Sequence, residues 1–145
     1  YGALSLLPEP LVRQRAARLL DVVGLTDRAA EPIASFSKGM VQRLGVAQAL
    51  INDPELLVLD EPSEGLDLPG RQMVRTLVAE HKKRGRTVLL VSHLLTEVEQ
   101  LCDRVTVLAG GQLVFTGTVP QLLKGRSGKR TIEEAVQELY EKAAP

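Results

Sequence analysis

The feature that most constrains the fold of this chain is a run of four apolar residues followed directly by two carboxylates. Leu56 to Leu59 form the apolar run, and Asp60 and Glu61 follow it without a spacer. A short apolar run between chain breakers is typical of a strand buried on both faces, as in a parallel sheet. Ligands of open α/β sheets bind at the carboxyl ends of the strands. The two carboxylates are therefore predicted to lie at a ligand-binding edge.

The segments around this run alternate between helical and strand patterns. A first helix is predicted after Pro8 and Pro10, with Gly24 as its C-cap, and residues 26–36 are predicted to be loop. Further helices are predicted at residues 38–51, 69–84, 95–102, 118–124 and 131–142. Strands are predicted at residues 87–91, also buried, 104–108 and 112–116, the last antiparallel after Gly110 and Gly111. This alternation predicts an α/β fold with a mainly parallel sheet flanked by helices.

Composition excludes several other classes of protein. The chain has 145 residues, of which 44% are apolar and 25% charged, as in one ordinary globular domain. The 18 basic and 18 acidic residues balance, which gives no support for nucleic-acid binding. A single cysteine, Cys102, indicates a reducing compartment and is predicted to lie in the core. No apolar run reaches the roughly 18 residues of a bilayer span, so any membrane role is expected to come through a partner.

Three short segments carry residues suited to phosphate chemistry. At the end of the apolar run, Asp60 can hold Mg²⁺ through its water shell, and Glu61 can orient and deprotonate a water molecule. The alternative is that both are solvated carboxylates that open a turn. Ser37 and Gly39 lie at the start of a predicted helix, whose free amides could bind phosphate, although taken alone an ordinary N-cap with a glycine explains them better. His93 follows a predicted strand and could polarise a phosphate or simply bond to backbone.

Taken together and in order, these segments resemble the C-terminal half of an ABC-type ATPase. Four motifs carry the resemblance: FSKGM resembles the family signature, LLVLDEP the Walker B strand, SEGLD the D-loop, and VSHLLTEVEQLCDRV the histidine switch with its helix. The resemblance covers about Leu11 to Leu123. FSKGM followed by Gln42-Arg43-Leu44, and TIEEAVQELY near the end, resemble the ATPases of exporters.

The resemblance implies an ATP- and Mg²⁺-dependent subunit on the inner face of the cell membrane, bound to a transmembrane permease. Two such subunits would form a head-to-tail dimer with ATP between them, and no nucleic-acid partner is expected. The positions that would contact ATP or the interface are Ser37, Lys38, Gly39, Met40 and Asp67. The positions that would act on the subunit's own nucleotide are Asp60 for Mg²⁺, Glu61 as the catalytic base, and His93.

The sequence departs from the family pattern in two respects. Lys38 replaces a glycine and Met40 a glutamine of the signature, so Lys38 either adds a cation near phosphate or faces solvent. The phosphate-binding motif G-x-x-x-x-G-K-S/T does not occur in the sequence. The segment Gly125 to Thr131 resembles it but does not match. We therefore expect a truncated ATPase domain, inactive alone, with a helical-subdomain remnant and signature helix (1–50), a catalytic core (51–117) and C-terminal helices (118–145).

Two other functions remain open from the sequence. A soluble ABC-type ATPase acting on ribosomes or DNA is one alternative, and a non-catalytic remnant module is the other.

Two basic parts of the sequence are predicted to be solvated. His81, near a helix end among lysines, is predicted to be solvated. The basic residues of segment 124–130 are predicted to form a solvated surface loop.

Overall fold

The structure is a computed structural model that describes residues 7–125 and 128–143. The chain divides between Val91 and Ser92 into two compact units, each with its own helices and strands. Residues 1–6 of the predicted helical subdomain lie outside the described residues. The α/β class predicted from the sequence is confirmed, since helices and strands alternate along both units.

The first unit contains three helices and a parallel pair of strands. Its elements are α1 (Glu9–Val22), α2 (Lys38–Leu50), β1 (Leu56–Asp60), α3 (Leu68–Lys83) and β2 (Thr87–Val91). β1 and β2 pair in parallel, with Leu56 opposite Thr87 and Asp60 opposite Val91. The predicted loop at 26–36 contains two short 3₁₀ turns, Thr26–Arg28 and Ile33–Ser35.

Local signals at the helix ends explain these boundaries. The Ser37 hydroxyl accepts a hydrogen bond from the Met40 amide at 3.3 Å, which confirms it as the N-cap of α2. Pro69 lies in the first turn of α3, where a missing amide hydrogen costs nothing. Gly24 follows α1 with a φ of 66°, a left-handed conformation that glycine adopts without a Cβ clash.

The core of the first unit lies on one face of the β1–β2 pair. Leu57 and Leu59 point into it, and α2 contacts β1 while α3 contacts β2. The prediction that both strands are buried on two faces is wrong for the described chain. The opposite face is more than half exposed at four apolar side chains, Leu56, Val58, Leu89 and Val91. The reason is that no described residue covers these four side chains.

The second unit is built around an antiparallel pair. Its elements are α4 (Leu95–Leu101), β3 (Arg104–Ala109), β4 (Gln112–Thr118), α5 (Val119–Leu123), β5 (Lys124–Gly125), β6 (Gly128–Lys129) and α6 (Ile132–Ala143). β3 pairs only with β4 among the described strands, so parallel pairing is confined to β1 and β2. Leu122, Ile132 and Ala135 are buried at its centre, and Cys102 packs against them as predicted.

The segment at 124–130 is only partly the solvated loop that the sequence predicts. Residues 126 and 127 lie outside the described residues, and β5 pairs with β6 around them. Arg130 contradicts the prediction, because its guanidinium donates to the Leu122 carbonyl at 3.0 Å and pairs with Glu138. The Lys142 ammonium and the Arg130 guanidinium both bind Glu138 and lower the pKa of its carboxyl.

His81 is buried, with 3% of its surface exposed, and the prediction that it is solvated is wrong. It lies on the same face of α3 as Val74, Leu77 and Val78, which are also buried. Helical spacing therefore turns the ring inward even though its sequence neighbours are lysines. Burial is the largest effect that lowers the pKa of His81, followed by the nearby Arg86, and Arg84 adds to them; Asp53 and the Pro54 carbonyl act in the opposite direction.

His81 should make stability pH-dependent below about pH 6.5. The lowered pKa means that the folded protein takes up this proton at a lower pH than the unfolded chain, which takes it up as the pH falls through the ordinary value of 6.5. The stabilisation is therefore complete above that pH and declines below it. We expect urea unfolding to show a free energy that falls between pH 7.5 and 5.5, and His81→Gln to flatten that decline. An unchanged slope in His81→Gln would contradict the assignment.

Candidate functional site

The turn that follows β1 holds the two predicted carboxylates in different environments. Asp60 ends the strand and is exposed, whereas Glu61 is half-buried. Glu61 has a φ of 46°, a left-handed conformation that costs a residue with a Cβ about 1–2 kcal/mol. Its amide donates to the Val91 carbonyl at 2.9 Å, and its carbonyl accepts from the Glu64 amide at 3.1 Å. Hydrogen bonds on both sides therefore hold Glu61 in this conformation.

The N-terminus of α2 lies against this turn. The Gln42 side-chain amide donates to the Glu61 carbonyl at 2.9 Å, and the Lys38 ammonium lies 2.8 Å from the Glu64 carboxylate. A Cβ built on Gly39 would lie 3.7 Å from the Gly65 carbonyl oxygen, so the two backbones are close. The structure thus brings together two motifs that the sequence separates by about twenty residues.

Lys38 and Met40, the two departures from the family signature, have defined places here. The Lys38 stem also contacts Gly65, where an added Cβ would lie 3.3 Å from the lysine Cε. Both Lys38 and Glu64 are more than half exposed, so their ion pair contributes at most about 1 kcal/mol. Met40 is half-buried and supplies the amide that Ser37 caps. Lys38 therefore faces solvent and contacts the acidic turn at the same time.

Asp67 is the N-cap of α3. Its carboxylate accepts a hydrogen bond from the Gly70 amide at 3.0 Å. Gly70 is buried, and a Cβ there would come within 2.9 Å of that carboxylate oxygen, so the cap requires a glycine at this position. Asp67 is itself exposed, so its second oxygen is accessible to a ligand or a partner.

His93 belongs to the second unit and is exposed. The Ser92 hydroxyl accepts a hydrogen bond from the Leu94 amide at 3.1 Å, which fixes the turn that carries the histidine. This turn leads directly into α4, whose Val98 is anchored in the core of the second unit. The backbone around His93 is thereby fixed while its side chain stays accessible.

A magnesium ion would have to share this site with phosphate and water. Among residues 7–125 and 128–143, no group of three or more His, Cys, Asp or Glu side chains could hold a metal ion. Mg²⁺ in nucleotide sites is usually bound by one or two carboxylates together with substrate phosphates and several waters. An exposed Asp60 at the carboxyl end of β1 suits that mode of binding.

Sequence reasoning assigned no site role to Gln42 or Glu64. Lys38 and Gln42 are four residues apart, so they share one face of α2, and both donate to the turn after β1. The four-residue spacing of Lys38 and Gln42, together with a short acidic segment that contains Glu61 and Glu64, could have indicated this contact from the sequence. What the sequence could not supply is the left-handed turn that presents the Glu61 carbonyl to α2.

Comparisons with known proteins identify a family, similar sequences and a similar solved structure. The family model described as ABC transporter matches residues 8–64. An uncharacterised ABC transporter ATP-binding protein of Nostoc sp. is 48% identical over 81% of this chain and 36% of its own length. A fluoroquinolones export ATP-binding protein of Mycobacterium tuberculosis is 42% identical over 78% of this chain and 38% of its own. A solved ATP-binding subunit of an ABC transporter superposes with a TM-score of 0.83 at 30% identity, covering 92% of this chain and 56% of that one.

The chain belongs to the ABC transporter ATP-binding family. It spans 36% and 38% of the lengths of the two relatives just described. In the part of the chain that the structure describes, no helix combines the length and apolar character needed to cross a bilayer.

The cap at Asp67 can be tested separately from any interface role. Asp67→Ala should lower the free energy of unfolding by about 1 kcal/mol, because the Gly70 amide loses its acceptor. Asp67→Asn keeps a capping oxygen and should retain most of that stability, as thermal unfolding would show. Equal losses in both variants would mean that the charge, not the cap, stabilises this helix.

Proposed function

We propose that this chain supplies the signature helix and the catalytic carboxylate of the ATP-hydrolysing subunit of an ABC transporter. The observation that carries the proposal is the contact of the α2 N-terminus with the turn after β1, through Gln42 and Glu61 at 2.9 Å. A phosphate-binding helix start and a positioned carboxylate are the two parts that this chemistry needs from this portion of the domain. Membership of the family supports the same assignment.

Glu61 is proposed as the general base. Its half-buried position and fixed backbone suit a carboxylate that orients a water molecule toward a terminal phosphate and accepts its proton. Asp60, one residue earlier and exposed, would hold Mg²⁺ through water, and a bound Mg²⁺ would neutralise charge on the phosphates. We also propose that the exposed His93 ring donates a hydrogen bond to a terminal phosphate.

The signature segment is proposed to bind the nucleotide of a second subunit in a head-to-tail dimer. At the start of α2, Ser37 and Gly39 leave backbone amides directed out of the helix end, where the helix dipole favours an anion. Lys38 and Met40 flank these two residues and would line the same contact. The exposed carboxylate of Asp67 would meet the partner subunit across the interface.

The remaining parts of the ATPase domain are proposed to lie outside these 145 residues. The sequence contains no G-x-x-x-x-G-K-S/T motif, whose amides and lysine hold the phosphates in this family. We propose residues 1–50 as helical-subdomain remnant and signature helix, 51–117 as catalytic core, and 118–145 as C-terminal helices. On this proposal the chain by itself neither binds ATP tightly nor hydrolyses it.

An exporter is the proposed setting of the complete subunit. The M. tuberculosis relative is named for fluoroquinolone export, and this chain is 42% identical to it over 113 residues. The signature FSKGM with Gln42-Arg43-Leu44 favours the same type. We therefore propose that the subunit lies at the inner face of the cell membrane and drives a transmembrane permease.

Replacing the proposed base tests this function. In the complete subunit, Glu61→Gln should still bind ATP but should hydrolyse it about 10²–10⁴ times more slowly, because the amide cannot accept the proton. Glu55→Gln is the matched control, since Glu55 is an exposed glutamate just before β1 and outside the proposed site. Steady-state phosphate release and ATP binding would both be measured. A Glu61→Gln variant that turns over at nearly the normal rate would refute the assignment.

A further inference from the structure

Glu61 occupies a backbone conformation that the turn must hold in place. Its φ of 46° is unfavourable for any residue with a Cβ. Such conformations persist where surrounding contacts over-determine them. The direction of the Glu61 side chain depends on this backbone, because a change of φ and ψ redirects the Cα–Cβ bond. The contacts that hold the backbone of Glu61 therefore also aim its carboxylate.

Three hydrogen bonds hold the backbone of Glu61, and their partners lie in three different parts of the first unit. The Val91 carbonyl at the end of β2 accepts from the Glu61 amide at 2.9 Å, and the Glu64 amide within the turn donates to the Glu61 carbonyl at 3.1 Å. The third donor is the side chain of Gln42 on α2, at 2.9 Å from the same carbonyl oxygen. Gln42 is the only side chain of the three, and it is half-buried.

We propose that Gln42 is a positioning residue for Glu61 and couples the signature helix to the catalytic carboxylate. This inference rests on the proposed role of Glu61 as general base. A rotation or shift of α2 moves the Gln42 amide, and with it the Glu61 carbonyl, so the base is aimed only when α2 has its present position. Misplacing a catalytic group by about 1 Å can cost up to 10²-fold in rate. The signature helix would in this way influence hydrolysis in its own subunit, besides binding the nucleotide of the other.

The test replaces the donor without removing the side chain. Gln42→Met keeps the length of the side chain but cannot donate a hydrogen bond. We expect kcat for ATP hydrolysis to fall about tenfold while KM stays nearly unchanged. A tenfold change in rate is at the upper end of what the loss of one hydrogen bond causes. Gln42→Glu keeps the size and polarity and also removes the amide donor, so it should lose activity as well. Gln48→Met on the same helix is the matched control, since Gln48 is exposed and lies outside the site.

A double-mutant cycle in the complete subunit separates positioning from a general structural role. If Gln42 acts through Glu61, then Gln42→Met should have no further effect on single-turnover hydrolysis in a Glu61→Gln background. Equal fractional losses in both backgrounds, or wild-type kcat in Gln42→Met and Gln42→Glu, would overturn the inference. A Glu61→Gln variant with normal turnover would instead refute the proposed base and, with it, this inference. Thermal unfolding of each variant checks that the fold is retained, and a Gln42→Met that unfolds leaves the decision to Gln42→Glu.

Discussion

The left-handed turn at Glu61 is the constraint on which the rest of the site depends. β1 carries the chain through the core of the first unit, and the turn then has to reverse its course within a few residues to begin α3 at Leu68. It does so at the cost of an unfavourable backbone conformation, which hydrogen bonds from β2, from the turn and from α2 offset. Because all three bonds meet at the backbone of Glu61, the position of the proposed catalytic carboxylate depends on the packing of the first unit.

The N-terminus of α2 combines two tasks in a short segment. Ser37 caps the helix, so a side chain of the same chain stabilises its first turn. The side chains of Lys38 and Gln42, one turn apart, both contact the acidic turn. The first amides of the helix have no partner within the helix, and the proposed function assigns them to phosphate. Contacts along the side of the helix fix its place in the first unit, and its N-terminal end is the part proposed to contact the nucleotide. In the proposed dimer, one helix would thereby touch two active sites.

Much of the fold could be predicted from the sequence, because strong local signals mark it. Ser37, Pro69 and the two glycines at 110 and 111 define element ends by capping and turn chemistry, and the structure agrees at each. Burial was harder. β1 was predicted to be covered on both faces, yet four apolar side chains of the pair are exposed, and His81 was expected in solvent although it lies in the core. Both errors arise because burial depends on which tertiary partners are present, and a local pattern does not contain that information.

A structure of the complete subunit, bound to Mg²⁺ and ATP and carrying Glu61→Gln to prevent turnover, tests the central claim most directly. We expect a head-to-tail dimer in which Ser37 and the Gly39 amide lie within hydrogen-bond distance of the terminal phosphate bound to the other subunit. We also expect residue 61 to face a water molecule beside the phosphate of its own nucleotide. ATP bound without contact to residues 37–39 of either subunit would contradict the proposed dimer.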